Sequence, residues 1–165
     1  MNLKQSIFEI FSLLTEKSII FSHQNAPRPK GDYMLINITN ISSKSGFPSI
    51  QKNDDNTYKK SEIMTLSISN SIFGPTSFSE SILIHNNLTL PSTSRLFFSK
   101  GFGVSELTDV RNLTYVENNN WTSRFQFDMQ LMYASNIDYT ELFISNMEIE
   151  YSGTKIGKIT SNLET

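Results

Sequence analysis

Strict alternation of apolar and polar residues constrains the fold of this chain more than any other feature. From Arg124 to Leu131, every second residue is large and apolar, and the residues between them are polar or charged. A repeat of two residues places successive side chains on opposite faces of a β-strand. The same alternation runs from Met64 to Ser69. The chain is therefore expected to contain a sheet whose two faces differ in polarity.

A long hairpin is predicted in the first half of the chain. Its strands are expected at Tyr33–Ile41 and Tyr58–Asn70, joined by residues 42–57 without regular structure. Connections of this length are uncommon in compact domains and are usually functional or disordered. Towards the C-terminus we expect a turn at residues 101–103, short strand structure near 113–116, a break at 136–138 and a further strand over 143–151. Residues 152–165 are predicted to form a tail that frays or packs on a partner.

Helical spacing of apolar residues predicts two helices. The first is expected from residue 3 to residue 16, with an extension as far as Ile20. The second follows Gly74-Pro75 and is expected to be capped by Thr76 or Ser77, and Ser77 and Glu80 have the spacing of a capping box. It is predicted to end near residues 86–87 before Pro91, and a short helical turn is expected within residues 92–100. The apolar face of the second helix is predicted to consist of Phe78, Ile82, Leu83 and Leu88.

The order of these elements is helix, two strands, helix and further strands. This order predicts an α+β fold with a mostly antiparallel sheet, a long hairpin and helices packed on one face. The length of 165 residues predicts a single domain spanning residues 1–165.

The composition narrows the classes of function. Charged residues make up only 18% of the chain, against about 25% in typical soluble proteins. A weakly charged surface rich in Ser, Thr and Asn is easily covered by a partner and favours an assembly subunit, although A/T-rich codon usage would produce the same composition. The net charge of −2 lacks the basic excess that nucleic-acid binding requires. The absence of cysteine excludes thiolate metal sites and cysteine nucleophiles.

Two weaker patterns suggest other kinds of site. Asp54, Asp55 and Glu62 suggest a metal-dependent nuclease, but adjacent aspartates in a polar loop are typical of solvated turns. An aromatic platform for stacking a sugar or a base is suggested by Trp121 with Tyr115, Phe125 and Phe127. His23 and His85 have no ligand partner at metal-site spacing. We therefore expect no catalytic residue, no metal site and no cofactor.

Four features taken together resemble the phage neck terminator family, also called tail terminator or head–tail joining proteins. The first is the N-terminal helix that leads to Gln24-Asn25-Ala26-Pro27-Arg28-Pro29. The second is the strand after Tyr33, followed by a polar insertion and the strand Met64–Ser69. The third is the capped helix after Gly74, followed by Glu106–Val110. The fourth is the final strand pair, Ser123–Leu131 and Ile144–Tyr151, so that the resemblance covers residues 3–151.

This resemblance implies a structural virion protein without enzymatic activity. Members of the family form rings, commonly hexamers, that close the tail tube and dock it to the head connector. The implied location is the neck of the virion, after assembly in the host cytoplasm. The implied partners are further copies of the chain, a head-completion or connector protein, the tail tube and in some tails a sheath protein. DNA would be a passing cargo in the lumen, and no membrane is involved. Pro27, Arg28 and Pro29 are the distinctive family motif.

The 42–57 loop is expected to reach towards the lumen or an adjoining ring and to become ordered on assembly. An exposed loop without function is the alternative. A second alternative for the whole chain is a tail or baseplate accessory protein that binds carbohydrate through Trp121 and its neighbours. The candidate contact residues of the loop hypothesis are Lys44, Phe47, Lys52, Asp54, Asp55, Lys59 and Lys60.

Overall fold

A computed structural model of the chain describes residues 2–23, 27–44, 46–53, 57–139, 146–151 and 154–160. The helices are α1 (Leu3–Ser12), α2 (Ser77–Leu88) and α3 (Pro91–Ser99). The strands are β1 (Ser18–Phe21), β2 (Tyr33–Ser43), β3 (Ser49–Lys52), β4 (Tyr58–Phe73), β5 (Phe102–Leu107), β6 (Arg111–Asn112), β7 (Tyr115–Glu117), β8 (Asn120–Thr122), β9 (Arg124–Tyr139), β10 (Asn146–Tyr151) and β11 (Thr154–Thr160).

Seven of these strands form one sheet in the order β1-β2-β4-β9-β5, with β3 paired to β4 and β6 paired to β9. Strands β2 and β4 are antiparallel, and their pairing runs from Tyr33 opposite Phe73 to Ser43 opposite Met64. This pairing confirms the predicted long hairpin. Strand β1 lies parallel to β2, whereas β7–β8 and β10–β11 form separate two-stranded antiparallel hairpins. The predicted α+β class with a mostly antiparallel sheet is confirmed.

The three helices share one hydrophobic core with one face of the sheet. The alternation in β4 and β9 puts every second side chain into this core, as predicted, and each buried aliphatic or aromatic side chain contributes about 1.5–3 kcal/mol. The side chains that form the core from the sheet are Phe21, Met34, Ile36, Leu66, Ile68, Ile72, Phe102, Phe127, Met129 and Leu131, and those from the helices are Ile7, Ile10, Phe11, Ile84, Leu88 and Phe97.

The N-terminal helix is shorter than predicted. It ends at Ser12, and Ile19 and Ile20 belong to β1 instead of continuing the helix. The hydroxyl of Thr15 accepts a hydrogen bond from the Lys17 N–H at 3.1 Å and donates one to Glu80 at 2.5 Å. Such side-chain bonds compete with the helical backbone and favour a turn. A short apolar run after this turn is equally consistent with a strand, which is what forms.

The predicted apolar face of α2 is wrong in three of its four residues. Leu88 is buried, but Phe78, Ile82 and Leu83 are 61%, 38% and 53% exposed. The buried face carries small residues instead, because Ser77 bonds to Ser123 at 2.7 Å and Ser81 bonds to a backbone carbonyl of its own helix at 2.7 Å. The predicted capping box is also wrong. The N-cap is Thr76, one of the two predicted caps, but its side chain makes no capping hydrogen bond, and Glu80 is bonded to Thr15 instead.

Several elements differ from the expected boundaries. Strand β3 lies within the segment expected to lack regular structure, and β5 begins in the expected turn at 101–103. Strand β9 continues through the expected break to Tyr139, and β11 forms within the expected tail because it pairs with β10. Residues 143–145 of the predicted last strand lie outside the described residues. The short turn expected within 92–100 is α3, whose first residue is Pro91, a position that does not need an N–H.

Contacts within the chain define two compact units. One consists of Met1–Ser49 and Ser61–Asn136, and the other of Ile50–Lys60 and Ile137–Thr165. The helices, the core and the β7–β8 hairpin belong to the first unit.

Candidate functional site

Arg28 of the Pro-Arg-Pro motif lies at the centre of a cluster formed with Tyr33, Phe73 and Glu117, which we call the Arg28 cluster. Its Nε donates to the Tyr33 hydroxyl at 2.8 Å, and its Nη1 donates to the Glu117 carboxylate at 2.9 Å. The guanidinium carbon lies 5.7 Å from the Tyr33 ring centroid and 5.5 Å from the Phe73 ring centroid. The proline after Arg28 disfavours helical geometry at Arg28, so the motif enters β2 extended.

The two rings beneath Arg28 belong to neighbouring strands. Tyr33 of β2 lies opposite Phe73 of β4, and their rings are stacked with centroids 4.8 Å apart and planes 9° from parallel. Both side chains are buried, and burial raises the pKa of Tyr33. The hydrogen bond to Glu117 raises the pKa of Arg28. The permanently charged Arg28 guanidinium is fixed over these two stacked rings, so it can hold a neighbouring segment in place through an ion pair.

That segment is the β7–β8 hairpin, which contains Glu117. Its turn residues Asn118 and Asn119 have φ values of 50° and 61°, as a two-residue hairpin turn requires. Val116 and Trp121 lie opposite each other and are 55% and 77% exposed. Trp121 also borders a cavity of about 370 Å³ whose other walls include Arg28, Pro29, Tyr33 and Phe73. Arg28 thus holds a hairpin that presents an apolar pair to the outside.

The predicted aromatic platform is not assembled. Phe127 is fully buried in the core, with its ring 5.8 Å from the ring of His85. Phe125 packs against the ring of Phe78 on α2 with centroids 5.2 Å apart. Of the four aromatic residues, Tyr115 and Trp121 lie together in the β7–β8 hairpin, at adjacent positions of the pairing register.

The candidate residues of the 42–57 loop are distributed over both units. In the first unit, the Lys44 ammonium lies 3.3 Å from the Met132 sulfur, and Phe47 is 92% exposed. In the second unit, Lys52 is exposed, and Lys59 and Lys60 are half-buried at the start of β4. Asp54 and Asp55 lie outside the described residues.

The described ranges contain no group of three His, Cys, Asp or Glu side chains arranged to hold a metal ion. Glu62 of the nuclease hypothesis is half-buried in β4. His85 donates to the carbonyl of Thr108 at 3.0 Å and packs beside Phe127. His85 therefore has a structural role between α2 and the segment after β5.

An apolar groove lies between the end of α1 and the start of α2, and we call it the α1–α2 groove. It has a volume of about 540 Å³ and includes Leu13, Leu83, Glu16 and Glu80 in its lining. Leu13 is 72% exposed and Leu83 is 53% exposed. Exposed apolar surface bordered by polar residues is typical of interaction sites. Helical spacing did not predict this surface, because it assigned Leu83 to the apolar face of α2. The small residues Ser77 and Ser81, one helical turn apart, are the sequence signal that another face of α2 is buried.

A second apolar protrusion lies on α3. Phe98 is 81% exposed, whereas the neighbouring Phe97 is fully buried against Phe11 of α1. Arg95 is exposed one turn before Phe98. None of the helices in the described part of the chain is long and apolar enough to cross a membrane.

Comparison with known sequences identifies the family of the chain. No curated protein matches it. A sequence profile of the family described as phage neck terminator protein matches residues 5–156. This range contains most of the N-terminal helix, the Pro-Arg-Pro motif and the strand pairs on which the resemblance was based, and it confirms that resemblance. The chain therefore belongs to the phage neck terminator protein family, whose members are structural proteins of the phage neck.

Proposed function

We propose that copies of this chain form a ring at the virion neck that closes the tail tube and joins it to the head connector. The observation that carries this proposal is the family match over residues 5–156. The hexamer is the ring size that we propose. The partners are then neighbouring copies, the connector or head-completion protein and the tail tube, with DNA passing through the lumen during delivery.

The surface of the helical layer supports a role as a ring subunit. Two apolar features, the α1–α2 groove and Phe98, lie on different parts of the chain. When two different surfaces of one protein recognise each other, the assembly is head-to-tail and closes into a ring if the rotation per subunit divides a full turn. A stable contact of this kind needs about 1,000 Å² or more of buried surface.

We further propose that the 42–57 loop contacts the lumen or an adjoining ring. Phe47, at 92% exposure, supports this proposal because a large apolar side chain gains free energy when a partner covers it. Deletion of residues 44–55 is then expected to prevent the joining of heads to tails while the ring still forms. Normal joining with the deleted protein would contradict the role of the loop.

The ring itself is tested with the purified chain. Light scattering after size exclusion should give a mass that is a fixed multiple of 18.8 kDa, and negative-stain images should show closed rings of one size. A protein that remains an 18.8 kDa monomer at all concentrations would contradict the proposal.

A further inference from the structure

We infer that, in the proposed ring, α3 of each copy docks into the α1–α2 groove of the next copy, with Phe98 as the apolar contact and Arg95 as the charged contact. This inference rests on the proposed function and specifies the surface through which copies meet. It follows from the exposed apolar side chains and the opposite charges of two surfaces on the same chain.

The α1–α2 groove combines exposed leucines with acidic groups. Leu13 and Leu83 are more than half exposed, and Glu16 is exposed at the same groove. Glu80 accepts the Thr15 hydroxyl through one carboxylate oxygen. Lys17 also lines the groove, but its ammonium lies 3.5 Å from the Asp32 carboxylate. The groove therefore combines apolar side chains with negatively charged ones.

The α3 surface has the opposite charge. Arg95 and Phe98 are three positions apart on the helix, a spacing that places their side chains side by side. Within the described ranges, Arg95 has no ion-pair partner. The other cation near the end of α3, Lys100, is bonded to Glu9 at 2.5 Å. Arg95 is therefore the cation that α3 offers to an outside carboxylate.

The helical layer holds both surfaces in fixed positions. The Phe97 ring packs edge-to-face against Phe11 with centroids 6.5 Å apart, and the Lys100–Glu9 pair joins the end of α3 to α1. Docking covers Phe98 with Leu13 and Leu83 of the next copy. It also places the guanidinium of Arg95 beside Glu16 of that copy. The partner that fits is a second copy of this chain, because both surfaces expose apolar side chains and their charges are opposite.

A head-to-tail contact makes a specific prediction about mixtures. Phe98→Glu removes the α3 side of the contact, and Leu83→Glu removes the groove side. Each variant alone should remain a monomer at concentrations at which the wild-type chain forms rings. The protein concentration at the midpoint of association should rise about tenfold or more. A mixture of the two still contains one intact pair, Phe98 of one chain and the groove of the other. The mixture should therefore form a 1:1 dimer and no ring.

The matched control is Ile63→Glu, which replaces an apolar residue of similar exposure (52%) far from this contact in sequence. It should leave ring size unchanged. Circular dichroism melts of all three variants check that each is folded. Arg95→Glu should weaken association, and adding Glu16→Arg to the same chain should restore it.

Cysteine cross-linking tests the contact without adding charge. The chain contains no cysteine, so chains carrying Leu83→Cys and Phe98→Cys can be mixed and oxidised. A disulfide dimer is expected in the mixture at far higher yield than in either variant alone. Rings of unchanged size in both glutamate variants, with no cross-link, would overturn this inference and leave the ring standing. A wild-type chain that stays monomeric would overturn both.

Discussion

Arg28 and Glu117 form an ion pair with 2.9 Å between Nη1 and Oε2, although 89 positions separate them in the chain. The pair joins the segment before β2 to the β7–β8 hairpin. Because the guanidinium also lies over the Tyr33 and Phe73 rings, one side chain connects three parts of the fold. The position of the exposed Val116–Trp121 pair therefore depends on Arg28.

Replacement of Arg28 should loosen the hairpin more than it destabilises the fold. Arg28 and Glu117 side chains are 47% and 45% exposed, so solvent weakens the ion pair. We expect Arg28→Ala to lower the free energy of unfolding by about 1 kcal/mol, mostly from the ring contacts. Trp121, the single tryptophan of the chain, should show altered fluorescence and faster quenching by iodide. Glu117→Gln should also increase the quenching of Trp121, but by less than Arg28→Ala. Unchanged quenching of Trp121 in Arg28→Ala would show that Arg28 does not hold the hairpin in place.

Gly74 is required by both its backbone and its surroundings. Its φ is +109°, and an added Cβ would overlap the Asp32 carboxylate and lie 2.9 Å from the Asp32 Cα. Gly74→Ala should therefore lower the free energy of unfolding by about 2 kcal/mol or more, measured by urea denaturation. Gly46→Ala is the control, because no atom of another described residue, its chain neighbours aside, lies within 4 Å of its added Cβ. Equal stability of the two variants would show that the Asp32–Gly74 packing does not matter.

Stability should fall at acidic pH partly because of Asp32. The hydrogen bond from Thr76 and the nearby Lys17 ammonium hold the pKa of the Asp32 carboxyl below its ordinary value. In the unfolded chain this carboxyl titrates at about 3.9. The unfolded state therefore binds more protons than the folded state as the pH falls through this range. The stabilisation from Asp32 is complete above about pH 3.9 and is lost as the pH falls towards the pKa that Asp32 has in the folded chain. Asp32→Asn should flatten the dependence of the melting temperature on pH between about 5 and 3, and an unchanged slope would exclude Asp32 as a contributor.

Asn70 is expected to reduce stability. It is fully buried on the core side of β4, and among the described residues neither its amide nitrogen nor its amide oxygen has a hydrogen-bond partner. Leucine has as many side-chain heavy atoms and needs no partner. Asn70→Leu should raise the free energy of unfolding by about 1–3 kcal/mol. Asn70→Asp should lower it strongly because it buries a charge. A less stable leucine variant would indicate that the amide is satisfied in solution.

The parts of the fold that could be predicted from sequence are those with a local, repeated signal. The alternation in β4 and β9 correctly identified the buried side chains, such as Leu66 and Phe127. Strand β1 was missed because Ile19-Ile20-Phe21 is too short to show a period, and its strand geometry depends on parallel pairing with β2. The burial of Ser81 in place of Phe78 depends on tertiary packing, which hydrophobicity alone does not contain.

The candidate surfaces were only partly predictable for the same reason. The Pro-Arg-Pro motif was recognised, but the contact of Arg28 with Glu117 is set by the tertiary fold. Exposure of Phe98 beside the buried Phe97 follows from the orientation of α3, which Phe11 determines. Phe47 in the polar loop stays a predicted contact residue, and its side chain is 92% exposed.

We propose that this chain closes tails and joins them to heads, and reconstitution of infectious particles tests this role. Tails made without this protein are mixed with filled heads and with the purified chain, and plaque-forming particles are counted. We expect the wild-type chain to restore infectious particles, with a closed ring visible at the neck, and Phe98→Glu not to restore them. Joining of heads and tails to the same extent without the chain would contradict the proposed role.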